Sequence, residues 1–230
     1  MRSIALLMVG LVACEASHAA PRSATSDREA LVRAHMRAHY NMLGAIQHLV
    51  IRDDLYDAAM IARTISNQLN EPSLGYAGQA QFARANAREL ADAPNIEEAC
   101  RATARLAATC ANCHVDAHVT RLFGSPPPAP AEGKTVDARM ARHTWATDRL
   151  FEGIIGGADD SWLAGLDVLA QTPSPSPDAR RATLARRLQD LAQQTRKRGT
   201  KDDFGARARA YGEILIACSA CHATDRKPTR

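Results

Sequence analysis

The sequence predicts an all-α protein made of two tandem antiparallel four-helix bundles, and three observations carry that expectation. The composition favours good helix formers (Ala, Leu, Arg), has few β-branched runs and holds only 4% aromatic residues. Apolar residues recur at helical spacing in stretches bounded by cap and breaker residues. The chain is also written twice, on either side of a Pro-rich segment, Gly124–Lys134. That segment cannot continue a helix and reads as a semi-rigid linker.

The repeat is explicit in three places. Met36-Arg-Ala-His39 matches Met140-Ala-Arg-His143, Asp53-Asp54-Leu-Tyr56 matches Asp159-Asp160-Ser-Trp162, and a Cys-x-x-Cys-His run closes each copy. The offsets grow from 104 through 106 to 108, so the copies differ by two short insertions. The first unit is assigned to 26–123, the linker to 124–134 and the second unit to 135–230. Each holds about 100 residues, a common size for one core.

In the first unit, Ser26-x-x-Glu29 reads as a capping box opening a helix with Leu31, Met36, Leu43, Ile46 and Val50 on its apolar face. A second helix follows Asp54, with Ala58, Ile61, Ala62 and Ile65 at helical spacing, and a third covers Gln79–Asp92 and stops at Pro94. Asn95-x-x-Glu98 caps the fourth, which carries Leu106, Cys110, Cys113 and His114. In the second unit the first helix is expected over Asp137–Ile155, ended by Gly156-Gly157. A second helix starts at Asp160 and breaks at Thr172–Pro177, Ser176-Pro177 suits the start of a third, and the last covers Asp202–Cys221. Short connections between four helices favour an antiparallel bundle.

The pattern that dominates the chain is Cys110-Ala-Asn-Cys113-His114, repeated as Cys218-Ser-Ala-Cys221-His222. On a helix, residues i, i+3 and i+4 share a face, so each run presents two thiols and an imidazole together. Covalent haem attachment needs this set: two thioethers to the porphyrin edge and a histidine to the iron. With 6 Cys and 8 His in 230 residues, a chance match has a probability of roughly 2 × 10⁻⁵ per position. Zinc sites built from paired Cys-x-x-Cys elements usually place the pairs about 15–20 residues apart. Here Cys113 and Cys218 are 105 positions apart and a histidine follows each pair. The expectation is two haem c groups, held by Cys110, Cys113, Cys218 and Cys221, with His114 and His222 as proximal iron ligands.

The amino terminus fits export. Arg2, the apolar run Ile4–Val12 and a small-residue end at Ala19-Ala20 form a signal peptide, assigned to 1–19, and the run is too short to span a bilayer. Leu11-Val12-Ala13-Cys14 also resembles a lipobox, which would anchor the chain to a membrane through a lipidated Cys14; cleavage after Ala19 gives a periplasmic protein instead, and that outcome is preferred. Cys100 then has no cysteine partner and reads as a small core residue.

At this point the halves resemble the cytochrome c′ family and its low-spin, methionine-ligated relatives, antiparallel four-helix bundles with the haem motif on the last helix. The likeness rests on Met36, Asn41–Ile46, Leu55–Ala59 and the closing Cys-x-x-Cys-His. It covers most of Asp27–Phe123 and, more loosely, Asp137–His222. In that family an aromatic and an arginine usually follow the haem histidine closely. Here Arg121 and Phe123 come later and the second copy has only Arg226, so haem-edge contacts are expected to differ. Relatives in the family often pair through their first two helices, a packing that a duplicated chain could satisfy internally.

The sixth iron position decides function. An open face binds NO or CO, a methionine raises the potential, and a second histidine usually lowers it. After the linker, Met140 is the one methionine and His143 the one histidine besides His222. The resemblance puts Met36 where the methionine-ligated relatives place their distal ligand, so Met36 and Met140 are the first candidates, with His39 and His143 as the alternative. His35, His48 and His118 lack counterparts in the second half and read as non-ligands; Met42 and Met60 read as core.

The chain carries a formal net charge of +4. Residues 26–123 hold 10 basic and 11 acidic groups and residues 135–230 hold 16 and 12, with the densest basic run at 178–209. A solvated helix face accounts for such a run, and so does steering toward an acidic redox partner or an anionic membrane. Sparse aromatics and the absence of a recognition motif argue against nucleic acid. The leading expectation is a periplasmic di-haem electron carrier. The alternative is a gas-binding or sensing protein with five-coordinate haems. A haem enzyme of peroxidase type comes third, since no catalytic constellation appears beyond the haem motifs.

Overall fold

The computed structural model describes residues 24–69, 77–119, 123–171 and 178–224. The expectations for the signal segment 1–19, Cys14, Arg121, Thr172–Pro177 and Arg226 lie outside the described residues. All regular structure among the described residues is helical: α1 (Ala24–Ile51), α2 (Leu55–Gln68), α3 (Ala77–Ala91), α4 (Ile96–Asp116), α5 (Val136–Ile155), α6 (Asp159–Leu169), α7 (Ala179–Arg198) and α8 (Phe204–Ala223).

Local chemistry sets most of the helix starts. Asp54, Asn95, Thr135, Asp178 and Asp203 each accept a hydrogen bond from the backbone N–H three residues on, satisfying a donor that the first turn leaves unpaired. Two starts differ from the expected ones. Helix α1 runs through Ser26 back to Ala24, because nothing in that stretch interrupts it. The cap of α7 is Asp178, whose carboxylate sits next to the first helical residue. At the end of α5, Gly157 adopts φ 61°, a left-handed conformation that turns the chain away from the helix.

Helix α1 packs on α2, α2 on α3, α3 on α4, and α4 returns to α1; α5 to α8 repeat this circuit. The second circuit is drawn tighter between its first two helices. A Cβ on Gly165 would lie 2.6 Å from the Ala146 carbonyl oxygen, and one on Gly153 would lie 2.6 Å from Trp162 Cβ, so α5 and α6 approach backbone to backbone. Burial consequently differs between repeat partners: Trp162 is 0% exposed, whereas Tyr56 is 75% exposed.

The halves meet through their last helices, not their first two. Helix α4 lies along α8 as extensively as any helix pair in the fold. Cys100 lies near Cys218, Arg101 Nε donates to Glu213 Oε1 at 3.1 Å, and a Cβ on Gly212 would stand 3.7 Å from Ala104 Cβ. Partners on α8 fall in number as those on α4 rise, so the two helices run antiparallel. The repeat offset of 108 carries Ala104 onto Gly212, so two repeat partners lie close together at this contact. Further contacts between the halves join α1 to α8 and α5 to α4. Small residues at the crossing allow the approach, which a pairing of α1 and α2 with their repeats would not exploit.

One continuous apolar core runs through both halves and includes Leu43, Ile46, Leu106, Leu150, Trp162 and Leu215. A buried polar bridge crosses it. The Tyr211 hydroxyl donates to Gln47 Oε1, Gln47 Nε2 donates to Asp148 Oδ1 at 2.8 Å, and His48 Nε2 lies 3.1 Å from that same oxygen. The bridge therefore ties α8 to α1 and α1 to α5. The segment 124–134 is non-helical and lies against the fold: Ala129 packs on the core, and Arg142 bonds the Pro130 carbonyl. No described helix is long and apolar enough to cross a membrane.

Candidate haem sites

Each Cys-x-x-Cys-His run occupies the last turns of its helix, Cys110 to His114 in α4 and Cys218 to His222 in α8. Because α4 and α8 are antiparallel, the two runs sit at opposite ends of the pair. Counted at a rise of about 1.5 Å per residue from Ala104 opposite Gly212, Cys110 lies about 18 Å along the axis from the level of Cys218, and the two motif histidines are separated by about 30 Å along it. The four thiols therefore do not converge on one ion. Among the described residues no group of three or more His, Cys, Asp or Glu side chains gathers as an ion site. Burial pushes the Cys110 and Cys218 thiols up to about 12. A redox dithiol needs the opposite shift, which helix N-termini favour and these C-terminal turns do not.

The first site is built where α1 begins and α4 ends. Gln79 Nε2 donates to Asp116 Oδ2 at 3.1 Å, Asn86 Nδ2 to Thr109 Oγ1 at 2.7 Å, and Arg105 Nη2 to Glu89 Oε1 at 2.6 Å. This register puts Phe82 level with Cys113, and yet Phe82 is 70% exposed. Leu31, Val115 and Val119 are exposed at the same end, so Leu31 does not join the core as expected, being too far toward the start of α1. Along α1 and α4, Asp53 acts on the Cys100 thiol.

His114 Nδ1 lies 2.9 Å from the Ile155 carbonyl oxygen. A carbonyl can only accept, so Nδ1 carries the proton and Nε2 keeps its lone pair, the tautomer of an iron-ligating histidine. Sequence reasoning missed this contact. The terminal carbonyls of α5 lack helical partners, which is visible in the Gly-Gly stop, but only the packing of α4 on α5 supplies the donor.

His39 is 8% exposed and its Nε2 has no hydrogen-bond partner. Burial, then the adjacent His35, lower its pKa to about 4, against a smaller opposing effect of Gln68. The two rings have centroids 4.1 Å apart, and His35 Nε2 is likewise buried without a partner. Met36 is half-buried, one turn nearer the start of α1. His48 is taken by Asp148, and His118 is exposed. Met42 packs on the core as expected, but Met60 is 47% exposed because it faces outward from α2. Cys100 is fully buried, as its core reading required.

The second site repeats the pattern. Cys218 is buried, and Cys221 and His222 are half-buried. His143, on α5, has its pKa lowered by burial and next by the charge of His222. Met140 lies a turn closer to the start of α5 and is half-buried. Phe123 serves neither site: its ring stands 5.5 Å from Tyr40, which in turn stands 5.4 Å from Phe151 in the seam between α1 and α5.

No family model, curated protein or solved structure matches the chain. The donor set itself fits a haem. In the first half the buried His39 Nε2 has no partner, the His114 Nδ1 is held by the Ile155 carbonyl, and Leu31, Phe82, Val115 and Val119 are exposed.

Proposed function

We propose that this protein is a di-haem c-type cytochrome that carries electrons, built as two tandem four-helix bundles with one haem c on the last helix of each. The observation behind the reading is the Cys-x-x-Cys-His run in the last turns of both α4 and α8, which sets two thiols and an imidazole on one helix face in each half. Bound haem would supply a one-electron Fe(III)/Fe(II) couple.

The chain's residues do the rest. Cys110 with Cys113, and Cys218 with Cys221, would each tether one haem, which would retain the redox centre through every cycle. His114 and His222 would hold the iron, and the Ile155 carbonyl, 2.9 Å from His114 Nδ1, would orient that ring and increase its basicity. Apolar neighbours keep water from the centres and leave their outer edges reachable. With the motifs at opposite ends, each centre serves its own end of the molecule. Exchange between them is the slower path, since electron tunnelling decays exponentially with distance.

Charge suits a transient encounter with an acidic redox partner. Arg180, Arg186, Lys197, Lys201 and Arg209 are exposed, while Arg196 and Arg198 pair with Asp167 and Asp202 at 2.6 Å and Arg207 is buried against Asp159. Such steering weakens with salt. Export by the segment 1–19 to the periplasm accompanies this reading, since the thioethers of haem c are normally formed outside the cytoplasm.

The test is to produce the chain with a haem-attachment system and measure its intact mass, its denatured haemochrome spectrum and a redox titration. Two covalent haems and two one-electron steps are expected. A chain that attaches no haem overturns the proposal, and so does a holoprotein whose reduced form binds CO at both irons, which makes it a gas binder.

A further inference from the structure

We propose that Phe82, on α3, covers the margin of the first haem next to Cys113 and thereby sets how much water that centre meets. The inference rests on the haem reading above and names a further residue of that same site.

Position is the first argument. The seam between α3 and α4 is laced by polar pairs: Glu89 with Arg105 at 2.6 Å, Asn86 with Thr109 at 2.7 Å and Gln79 with Asp116 at 3.1 Å. Partners on α4 rise as those on α3 fall, so the helices are antiparallel and the pairs fix their register. Positions 79, 82, 86 and 89 are spaced by three, four and three, which places them in one stripe along α3. The other three members bond to α4, and the register sets Phe82 opposite Asn112 and the half-buried Cys113. At this turn the seam holds an aromatic ring beside a motif thiol where its neighbouring turns hold polar pairs.

Chemistry is the second. Phe82 is 70% exposed, and the core needs nothing from it, since Ala83, Ala87 and Leu90 on the adjoining stripe are buried. A thioether at Cys113 Sγ would bring the edge of an apolar macrocycle to the place this ring borders. Aromatic rings pack well on such surfaces, face to face with an offset or edge-on. The second half lacks the device: its motif has the same thiols, but α7 carries no aromatic residue. Replacing water by apolar cover disfavours the more highly charged ferric state, which raises the potential of the covered centre.

The experiment uses the full-length holoprotein, with intact mass read first, because a chain without covalent haem overturns the haem reading and this inference together. The reduced protein is then held under CO, which leaves both irons diamagnetic whether their sixth position is open or filled. Proton nuclear Overhauser contacts from the Phe82 ring, assigned by comparison with Phe82→Ala, should reach methyl protons on the haem periphery. Redox titrations compare wild type, Phe82→Leu, Phe82→Ala and Tyr56→Ala. One midpoint of the two should fall in Phe82→Leu and further in Phe82→Ala, with the other unmoved. Tyr56, 75% exposed on α2, is the control, and its variant should titrate as wild type. With two covalent haems present, missing Overhauser contacts overturn the inference and leave the haem reading intact. Midpoints that ignore the Phe82 substitutions, or that move as far in Tyr56→Ala, overturn it in the same way.

Discussion

Replacing Tyr211 by Phe removes one oxygen from the centre of the molecule. Tyr211 and Gln47 are both 0% exposed, and the hydroxyl is the donor to Gln47 Oε1. Gln47 cannot turn away, because its Nε2 is held by Asp148 at 2.8 Å. The substitution therefore leaves a buried carbonyl oxygen without a donor. That costs about 1–3 kcal/mol, more than the net worth of about 1 kcal/mol for an ordinary hydrogen bond. For a chain of this size the midpoint of thermal unfolding should fall by about 2–4 °C per kcal/mol. Urea unfolding followed by circular dichroism measures the loss directly, with an unchanged slope showing that stability and not compactness has altered. Adding Gln47→Leu removes the stranded acceptor, so the double variant should be more stable than the sum of the single losses by about 1 kcal/mol. A Tyr211→Phe protein within about 0.5 kcal/mol of wild type, or strictly additive losses, would refute the claim that this bridge is desolvated and mutually dependent.

Two other perturbations follow from the packing and the charges. The hydrogen bond to Asp148 raises the His48 pKa in spite of burial, so the protonated form is favoured in the fold. Its stabilisation is complete below the unfolded value of about 6.5 and fades as pH rises through the folded one; the stability gap between wild type and His48→Gln should narrow as pH is raised through neutrality, and a constant gap would count against the pair. Gly165→Ala pushes a Cβ to 2.6 Å from the Ala146 backbone oxygen and should cost about 1–3 kcal/mol, whereas Gly44→Ala, with nothing within 4 Å, should gain about 0.5–1 kcal/mol from helix propensity; equal effects in denaturant titrations would show that α5 and α6 are not in backbone contact.

What could be read in the sequence was local. The caps at Asp54 and Asn95, the stop before Pro94, the Gly156-Gly157 end of α5 and the shared face of each Cys-x-x-Cys-His run depend on residues within two turns of one another, and the helices appear with little displacement. The repeat was equally plain, because duplicated segments keep their spacing. Where the expectation slipped, a competing neighbour won: Asp178 displaced Ser176-Pro177 as the start of α7, and Leu31 lies too close to the end of α1 to be covered by α4.

The sequence alone determined that the chain is helical, that it is duplicated, and that two sets of two thiols and an imidazole exist. Tertiary structure alone decided how those sets are disposed. The antiparallel crossing of α4 and α8 at Ala104 and Gly212 sends the motifs to opposite ends, the end of α5 gives His114 its carbonyl partner, and packing buries the His39 Nε2 without one. These relations join residues 41 to 112 positions apart in the chain. They follow from which small residues let two helices approach and which buried groups need partners, and neither leaves a periodicity in the sequence.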